Sequence, residues 1–316
     1  MSVQSRFREP AEQPQMTTPR RNSVDLHTHT LRSDGVLAPA ELYAEMSRQG
    51  LRVAAITDHD TLAGYRELRA AGRGETASEE GPQLIPAVEI NSVADRELIQ
   101  MGVQLEEGEL HILGFGVDPN DATFEQRLES QRGARRTRLL LIIDALRGLG
   151  APIDEQIAPV LKSDEALGRP HIARAMVAAG HVASVQEAFD LWIDRGGPAY
   201  VPRQGLRTRE AVEAIADAGG VPVLAHYPAA PEQPELIRLL IGWGLRGLEV
   251  HYRRFLPETV GRMAATADSL ELLATGGSDY HGDLMSYAEE QATTWVPASV
   301  GDRLLATLEA SASPAR

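Results

Sequence analysis

The chain has 316 residues, of which 43% are hydrophobic, and it carries a formal net charge of −14. This length can bury a sizeable core in one large globular domain or two. The acidic balance argues against a basic surface for duplex DNA, so any nucleotide substrate would have to be held by local arginines and metal. The absence of cysteine excludes thiolate metal sites, a cysteine nucleophile and disulfide bonds.

The first 21 residues are polar and rich in Gln, Pro, Arg and Thr. They lack the apolar core of a signal peptide or a membrane anchor. We therefore predict a disordered leader at 1–21 and a cytoplasmic protein that engages no membrane and needs no obligate protein partner.

From Val24 onward, strand-like runs alternate with amphipathic stretches, which is typical of a βα architecture. Apolar Val24 and Leu26 alternate with polar neighbours, which predicts the first strand. The helix that follows begins with a proline, which the first turn permits, and ends at Gly50. The elements predicted up to residue 116 are a strand from 24, a helix at 39–49, a strand at 52–57, a helix at 62–71, a polar loop at 72–82, and strands at 84–89 and 110–116.

After residue 120 the alternation stops and only helical patterns remain, at 124–149, 153–161, 171–179 and 185–194. The βα rhythm then resumes with a helix at 208–218, a strand at 221–225, a helix at 234–242, a strand at 247–250, a helix at 256–267, strands at 271–274 and 293–296, and a helix at 300–308. This order predicts a barrel made of 22–118 and 199–316. The helices at 119–198 are predicted to form an insertion domain that closes over the active site.

Histidines and carboxylates recur at or just past the ends of the apolar runs. His27 and His29 are two apart on a strand, so they share one face and can grip one ion. The residues in comparable places are His27, His29, Asp34, His59, Glu89, His111, His226, Asp279 and His281. This mixture of imidazole and carboxylate suits Zn²⁺, Mn²⁺ or Fe²⁺. In a parallel barrel, functional groups lie at the carboxyl ends of the strands, where most of these residues fall.

Nine candidate ligands are too many for one ion, because a catalytic zinc takes about three protein ligands and a water. Two or three ions are therefore predicted. Paired ions about 3.5 to 4 Å apart clamp a phosphoryl group, activate a water at neutral pH and stabilise the leaving oxygen. Hydrolysis of a phosphate ester is the reaction that most needs all three effects.

The segments that carry the candidate ligands resemble those of the PHP family, named for polymerase and histidinol phosphatase, in both composition and order. They are 27–29, 33–35, 57–60, 89–90, 111–114, 226 and 277–281. The resemblance implies an α/β fold, a distorted (β/α)7 TIM-like barrel, with a trinuclear metal site and phosphoric ester hydrolase activity. It also implies a division of the ligands: His27, His29, Glu89 and Asp279 for one ion, Glu89 as a bridge to a second with His111 and His226, and Asp34, His59 and His281 for a third.

The helical insertion resembles the PHP subgroup that acts on nucleoside 3',5'-bisphosphates and trims short oligoribonucleotides in the 5'-3' direction. That resemblance implies substrate contacts from Arg169, His171, Tyr200 and Arg203, and catalytic roles for Arg169 and His171. Asp58 is assigned a catalytic role as a carboxylate that orients a neighbouring imidazole. A guanidinium grips two phosphate oxygens at once, which makes Arg169 the favoured phosphate ligand. The sequence departs from the subgroup at Tyr227, which separates His226 from the next proline, and in a long acidic loop at 92–109.

Several alternatives stay open on the sequence alone. Histidinol phosphate is the second candidate substrate, and an amidohydrolase or a non-enzymatic PHP module are weaker candidates. An amidohydrolase would commonly bridge two metals through a modified lysine, but Lys162, the only lysine, lies in the helical insertion. The arginines at 132–138 are predicted to form a solvated helix face, with an oligonucleotide track as the minor alternative. Glu249 and His251 are expected to support the site or contact substrate.

Overall fold

Seven strands form one mixed sheet in the part of the chain that the computed structural model describes, which is residues 23–103, 105, 108–163 and 165–312. The order of the strands across the sheet is their order along the chain. The strands are β1 (Val24–Asp25), β2 (Val53–Ile56), β3 (Gln83–Val93), β4 (Glu109–Phe115), β5 (Val221–Leu224), β6 (Gly247–Tyr252) and β7 (Leu273–Gly277).

The sheet curls until its two edges meet. The Leu26 amide just beyond β1 donates to the Gly276 carbonyl in β7 over 3.1 Å, and Thr28 pairs with Tyr280 in a parallel bridge. The predicted distorted TIM-like barrel is therefore confirmed. It is an α/β fold in which seven strands nearly close on themselves.

One strand does not follow the parallel pattern that the sequence predicts. β4 runs antiparallel to both β3 and β5, whereas the other neighbouring pairs are parallel. The physical reason lies in the connection at 94–108, whose described helix has only five residues, Arg96–Gln100. A parallel crossover usually needs a full helix to return the chain to the same end of the sheet.

Twelve α-helices are described along the same residues. They are α1 (Pro39–Gln49), α2 (Ala63–Ala70), α3 (Arg96–Gln100), α4 (Ala122–Gly148), α5 (Asp154–Ile157), α6 (Arg169–Ala178), α7 (Val185–Ala188), α8 (Thr208–Asp217), α9 (Pro234–Trp243), α10 (Pro257–Ser269), α11 (Tyr287–Thr293) and α12 (Ala298–Ala312). A π-helical turn, Phe189–Ile193, continues α7. None of the described helices combines the length and the apolar character needed to cross a membrane.

The strand predicted at 293–296 is wrong. Helix α11 ends at Thr293, and residues 294–297 have no regular structure although Val296 is fully buried. The apolar character of this segment comes from packing beneath the barrel. The edges of the sheet already meet at β1 and β7, so no free edge is left for another strand there.

The hydrophobic core leaves one end of the barrel free. Side chains from β1 to β5 form an inner cluster with α12, which contacts Val24 and Val53 at the beginnings of their strands. Helix α12 therefore covers the amino end of β1 and β2. The opposite end carries the polar residues of the site.

The helices between β4 and α8 have a hydrophobic cluster of their own. Its members include Leu139 and Ile142 from the second half of α4 and Ile172 from α6. The first half of α4 packs instead on the outer core of the barrel through Phe124 and Leu128. Helix α4 thus connects the two groups of helices. The leader predicted at 1–21 lies outside the described residues.

Candidate active site

The nine residues predicted as metal ligands lie together at one end of the barrel. Their ligand atoms form three overlapping groups, and within each group the atoms lie within 4.8 Å of one another. The groups are His27, His29, Glu89 and Asp279; Glu89, His111 and His226; and His29, Asp34, His59 and His281. His111 reaches this end from the beginning of β4 because that strand runs in the opposite direction.

Glu89 lies at the centre of the cluster, with each carboxylate oxygen facing a different set of imidazoles. Its Oε1 is 2.8 Å from His111 Nδ1 and 3.1 Å from His226 Nε2. Its Oε2 is 3.2 Å from Nε2 of both His27 and His29. The same oxygen is 3.1 Å from His59 Nδ1. The geometry is that of a carboxylate able to bridge two ions.

Two aspartates complete the remaining groups. Asp279 Oδ1 lies 3.3 Å from Nε2 of His27 and 3.3 Å from Nε2 of His29. Asp34 Oδ2 lies 3.5 Å from His59 Nε2, and Asp34 Oδ1 lies 3.4 Å from His281 Nε2. His29 belongs both to the group that contains Asp279 and to the group that contains Asp34.

The donor atoms themselves indicate a cation. His29 Nε2, His59 Nδ1 and Asp34 Oδ1 are buried. Other ligand atoms lie 3.1–3.4 Å from them, but within the described part of the chain none is oriented to form a hydrogen bond with them. Buried polar atoms normally have a hydrogen-bond partner, and ligation of an ion is one of the usual reasons when they do not. Imidazoles and carboxylates with no thiolate fit a divalent ion such as Mn²⁺, Zn²⁺ or Fe²⁺. The residues present therefore fit the metals that the sequence implies.

The electrostatics keep the carboxylates in the form that binds metal. Burial by itself raises the pKa of Glu89, but His59, His27 and His111 outweigh it and hold that pKa well below its usual range. Burial likewise raises the pKa of Asp279, yet His27 and His281 keep it well below its usual range. A metal ligand must be deprotonated, and these carboxylates are.

Three of the four non-glycine residues with a left-handed backbone in the described part of the chain lie at the same rim. His226 follows β5 with φ of 29°, Asp279 follows β7 with φ of 47°, and Asp60 lies beyond β2 with φ of 51°. Non-glycine residues in this left-handed region cost on the order of 1–3 kcal/mol each. Close packing also demands glycine beside them, since a Cβ on Gly277 would lie 2.4 Å from the His27 amide nitrogen. Such strain clusters at functional sites.

A second layer of hydrogen bonds orients the ligands. His27 Nδ1 is 2.9 Å from Glu249 Oε1, and the His226 amide donates to Glu249 Oε2 over 2.7 Å. The Tyr252 hydroxyl donates to Asp279 Oδ2 over 3.0 Å. Partners of this kind orient metal ligands and tune their basicity. Glu249 was expected to support the site or contact substrate from its position at a strand end, whereas the contact of Tyr252 with Asp279 was not predicted.

Asp25 was not predicted as a site residue, although it lies only two residues before His27. It is fully buried and accepts hydrogen bonds from Ser278 Oγ at 2.7 Å and from the Tyr287 hydroxyl at 2.9 Å. Gln291 donates to the same carboxylate at 2.5 Å. Asp25 thereby ties β1, the turn after β7 and α11 together beneath the ligands. The only sequence signal was a charged residue between two apolar residues, Val24 and Leu26, of a predicted strand.

Asp58, predicted to have a catalytic role, contacts the segment that follows His29. It accepts from the Thr30 amide and hydroxyl, each at 2.7 Å, and from Ser33 Oγ at 2.8 Å. Ser33 Oγ in turn lies 3.5 Å from His29 Nδ1. Asp58 thus holds the loop that carries His29 and Asp34.

A cavity of about 300 Å³ opens directly above the ligands. Its arginines come from the helices and loops around the barrel end: Arg135, Arg138, Arg169, Arg203 and Arg254. The prediction of a solvated face is wrong for Arg135 and Arg138, which are 6% and 7% exposed. Their face of α4 packs against the barrel end, so these side chains point into the cavity.

The buried arginines are held by acidic partners. Arg135 Nε donates to Asp60 Oδ2 over 2.5 Å, and Arg203 Nη2 donates to the same oxygen over 3.1 Å. Arg138 Nη1 donates to Glu109 over 3.3 Å. Burial and the neighbouring Arg135 lower the pKa of Arg203 to about 10, so it remains charged at neutral pH. The wall therefore presents pre-positioned guanidinium groups.

The other predicted substrate residues fall at different places. Arg169 lines the cavity, donates to Asp194 over 3.0 Å and stacks on Phe189, with its guanidinium 5.4 Å from the ring centroid. His171 receives the Gly168 amide hydrogen at 3.1 Å, so it caps the first turn of α6. Tyr200 lies under Arg138, with the guanidinium 5.9 Å from its ring centroid.

Comparisons with known proteins agree with this geometry. The chain is 32% identical over 261 residues to a 5'-3' exoribonuclease of Haemophilus influenzae, and the aligned region covers 81% of the chain and 89% of that protein. It is 30% identical over 264 residues to a 3',5'-nucleoside bisphosphate phosphatase of Chromobacterium violaceum, and the aligned region covers 82% of the chain and 87% of that protein. No family model matches the chain.

Among solved structures, a candidate metal-dependent phosphoesterase from Bifidobacterium adolescentis superposes with a TM-score of 0.76 at 31% identity and covers 92% of the chain and 97% of its own. This chain belongs to the PHP family of metal-dependent phosphoesterases. A protein from Chromobacterium violaceum described as an amidohydrolase, with bound sulfate and no metal, superposes with a TM-score of 0.75 at 27% identity and covers 92% of the chain and 96% of its own.

The cluster of candidate ligands in this PHP protein differs from the pattern expected of an amidohydrolase. Lys162 is exposed in a short helical turn, Val160–Lys162, and not at a strand end. The bridging position is occupied by the carboxylate of Glu89, with imidazoles on both sides. No modified lysine is needed to hold two ions in this geometry.

Proposed function

We propose that this PHP protein is a divalent-metal-dependent phosphoesterase that removes phosphate from small nucleotides. The substrates would be nucleoside 3',5'-bisphosphates, the ends of short oligoribonucleotides trimmed in the 5'-3' direction, or both. One observation carries the proposal: nine imidazole and carboxylate donors lie below a cavity that five arginines line. The names of the two relatives, a 5'-3' exoribonuclease and a bisphosphate phosphatase, support it.

The three donor groups would hold two or three ions, with Mn²⁺, Zn²⁺ and Fe²⁺ as candidates. When bound, such ions polarise a phosphoryl oxygen, activate water near neutral pH and stabilise the leaving oxygen. Glu89 would belong to two of the groups, and His29 to two. The protein contributes the spacing of the ions through these shared ligands.

The arginines would bind the anionic groups of the substrate. Guanidinium groups pair with phosphate in a bidentate manner, and those of Arg135 and Arg203 are already ordered by Asp60. Burial strengthens such charge-assisted hydrogen bonds because water competes less. A substrate with a second phosphate would therefore gain more binding free energy from these arginines than one with a single phosphate.

The apolar part of the cavity lining suits the base of a nucleotide. Leu139, Ile142, Leu167, Ile172 and Phe189 line it. Apolar and aromatic side chains of this kind contact the face of a nucleobase without distinguishing its hydrogen-bonding edge. We therefore expect weak selectivity among bases. The helices at 119–198, proposed as an insertion domain, would cover the substrate and exclude bulk water.

The test is phosphate release by the Mn²⁺-loaded protein from adenosine 3',5'-bisphosphate, AMP, histidinol phosphate and a short 5'-phosphorylated RNA, measured side by side. We expect release from the bisphosphate, trimming of the RNA, or both, and weak activity on histidinol phosphate. Activity on histidinol phosphate alone would reject the nucleotide proposal. The Glu89→Ala variant serves as the negative control for contaminating phosphatases.

A further inference from the structure

Glu249 is a fully buried carboxylate that lies outside the three donor groups yet contacts two of them. It belongs to β6, which lies between β5 and β7 in the sheet. The register of β6 against β7 shifts between Glu249 and His251, so the strand is irregular just after Glu249. Irregularities of this kind re-aim side chains next to active sites. Here the Glu249 side chain reaches the ligands at the end of the barrel.

The two oxygens of Glu249 have separate partners. Oε1 is 2.9 Å from Nδ1 of His27, which belongs to the donor group containing Asp279. Oε2 accepts the backbone amide hydrogen of His226, which belongs to the group containing His111. His226 adopts a left-handed backbone with φ of 29°, a conformation that needs such support.

We infer that Glu249 is a positioning residue that sets the His27 tautomer and the His226 backbone together, and thereby couples the ligands of two ion sites. A carboxylate accepts at both ends, so it can take the Nδ1 hydrogen of His27 and the amide hydrogen of His226 at once. With its hydrogen on Nδ1, His27 presents the lone pair of Nε2, which points towards Glu89 and Asp279. This inference rests on the metal centre of the proposed function.

The substitution Glu249→Gln exposes the coupling because an amide accepts at one end only. If the amide oxygen faces the His226 backbone, the NH₂ group faces His27 and drives its hydrogen to Nε2, where it blocks metal binding. If the oxygen faces His27, the NH₂ group meets the N–H of His226 and the strained backbone loses its acceptor. Either arrangement damages one of the two sites.

The experiment measures metal directly and does not depend on activity. Wild type, Glu249→Gln and a control are equilibrated with buffered Zn²⁺, and bound zinc is determined by mass spectrometry together with competition against a chelator. We expect Glu249→Gln to weaken binding at the affected sites by about 10–100-fold, the usual cost of losing such a partner. The ion of Asp34, His59 and His281 should remain, because Glu249 does not contact that group.

Thr275→Val is the matched control. Thr275 is also fully buried, lies opposite Glu249 in the register of β6 and β7, and bonds only weakly to the Leu248 carbonyl at 3.5 Å. It should bind zinc like the wild type. If the wild type binds no zinc, the proposed metal centre fails. If the wild type binds zinc and Glu249→Gln binds it equally well, the proposed coupling by Glu249 is refuted, but the metal centre is not.

A measurement on the wild type covers the case in which Glu249→Gln does not fold. Histidine-selective ¹⁵N NMR of the zinc-loaded protein should show His27 with a protonated Nδ1 hydrogen-bonded to Glu249 and a metal-bound Nε2. An unprotonated or metal-bound Nδ1 would overturn the inference without any variant. Glu249→Asp, one methylene shorter, should reach one of its two partners and bind zinc with intermediate affinity.

Discussion

Replacing Glu89 by glutamine is the most direct test of the shared-ligand arrangement. The change preserves the size of the side chain but removes its charge and converts one acceptor to a donor. Glu89 contacts five imidazole nitrogens within 3.2 Å, through both oxygens. We therefore expect metal loss and loss of turnover in Glu89→Gln, with the fold retained in the barrel core.

The magnitude follows from the number of ligands that remain. Without Glu89, one donor group keeps only His111 and His226, fewer than the three protein ligands usual for a catalytic ion. Removing a partner that only orients a ligand costs about 10–100-fold in affinity. Removing a direct ligand should cost more than the upper end of that range, which is about 2.8 kcal/mol at 1.4 kcal/mol per tenfold.

The assay combines bound-metal analysis with phosphate release from adenosine 3',5'-bisphosphate. We expect at least one ion fewer per chain at limiting free metal and a rate more than about 100-fold lower. Glu109→Gln is the control, since Glu109 also lines the cavity but belongs to none of the described donor groups. It should keep its ions. Full occupancy with normal activity in Glu89→Gln would mean that Glu89 bridges nothing.

Three further outcomes follow from the same geometry. Arg169→Ala should raise KM for the bisphosphate about tenfold or more, the cost of a hydrogen bond to a charged group, with the bound metal unchanged; metal loss in this variant would contradict a role in substrate binding. Gly277→Ala should lower the free energy of unfolding in urea by about 1–3 kcal/mol because the added Cβ would contact His27. Gly261→Ala, in open space on α10, is the control and should leave that free energy unchanged. Equal urea midpoints for the two variants would show that the structure relieves the contact at Gly277. Dialysis against EDTA should lower Tm and added Mn²⁺ should restore it, since ions that bind only the folded state stabilise it; an unchanged Tm would argue against tight ion binding.

The convergence of the nine candidate ligands was predictable because their chemistry is local. His27 and His29 share a face by strand periodicity, and Glu89 and Asp279 stand at or beyond the ends of apolar runs. Such positions converge in any barrel of this kind, whatever the loops do. Even the wrong direction predicted for β4 did not remove His111 from the set. Reversing the strand simply exchanges its carboxyl end for its amino end at the same rim.

The cavity wall was not predictable in the same way. The spacing of Arg135 and Arg138 places them on one face of α4, but periodicity does not say whether that face meets solvent or another part of the protein. The answer depends on how α4 lies across the barrel end, where Asp60 and Glu109 pair with the guanidinium groups. Asp25 illustrates the same limit, because its partners Tyr287 and Gln291 are more than 250 residues away in sequence.

The distribution of charge connects the fold to the kind of substrate proposed. The chain as a whole carries −14, yet the cavity gathers five arginines next to the metal-binding donors. An acidic exterior repels a polyanion laid along the surface, and this repulsion is screened beyond about 8 Å at physiological ionic strength. A terminal phosphate, by contrast, can enter the cavity and reach the guanidinium groups and the ions at close range. A small nucleotide or the end of a short RNA satisfies both conditions, whereas a duplex does not.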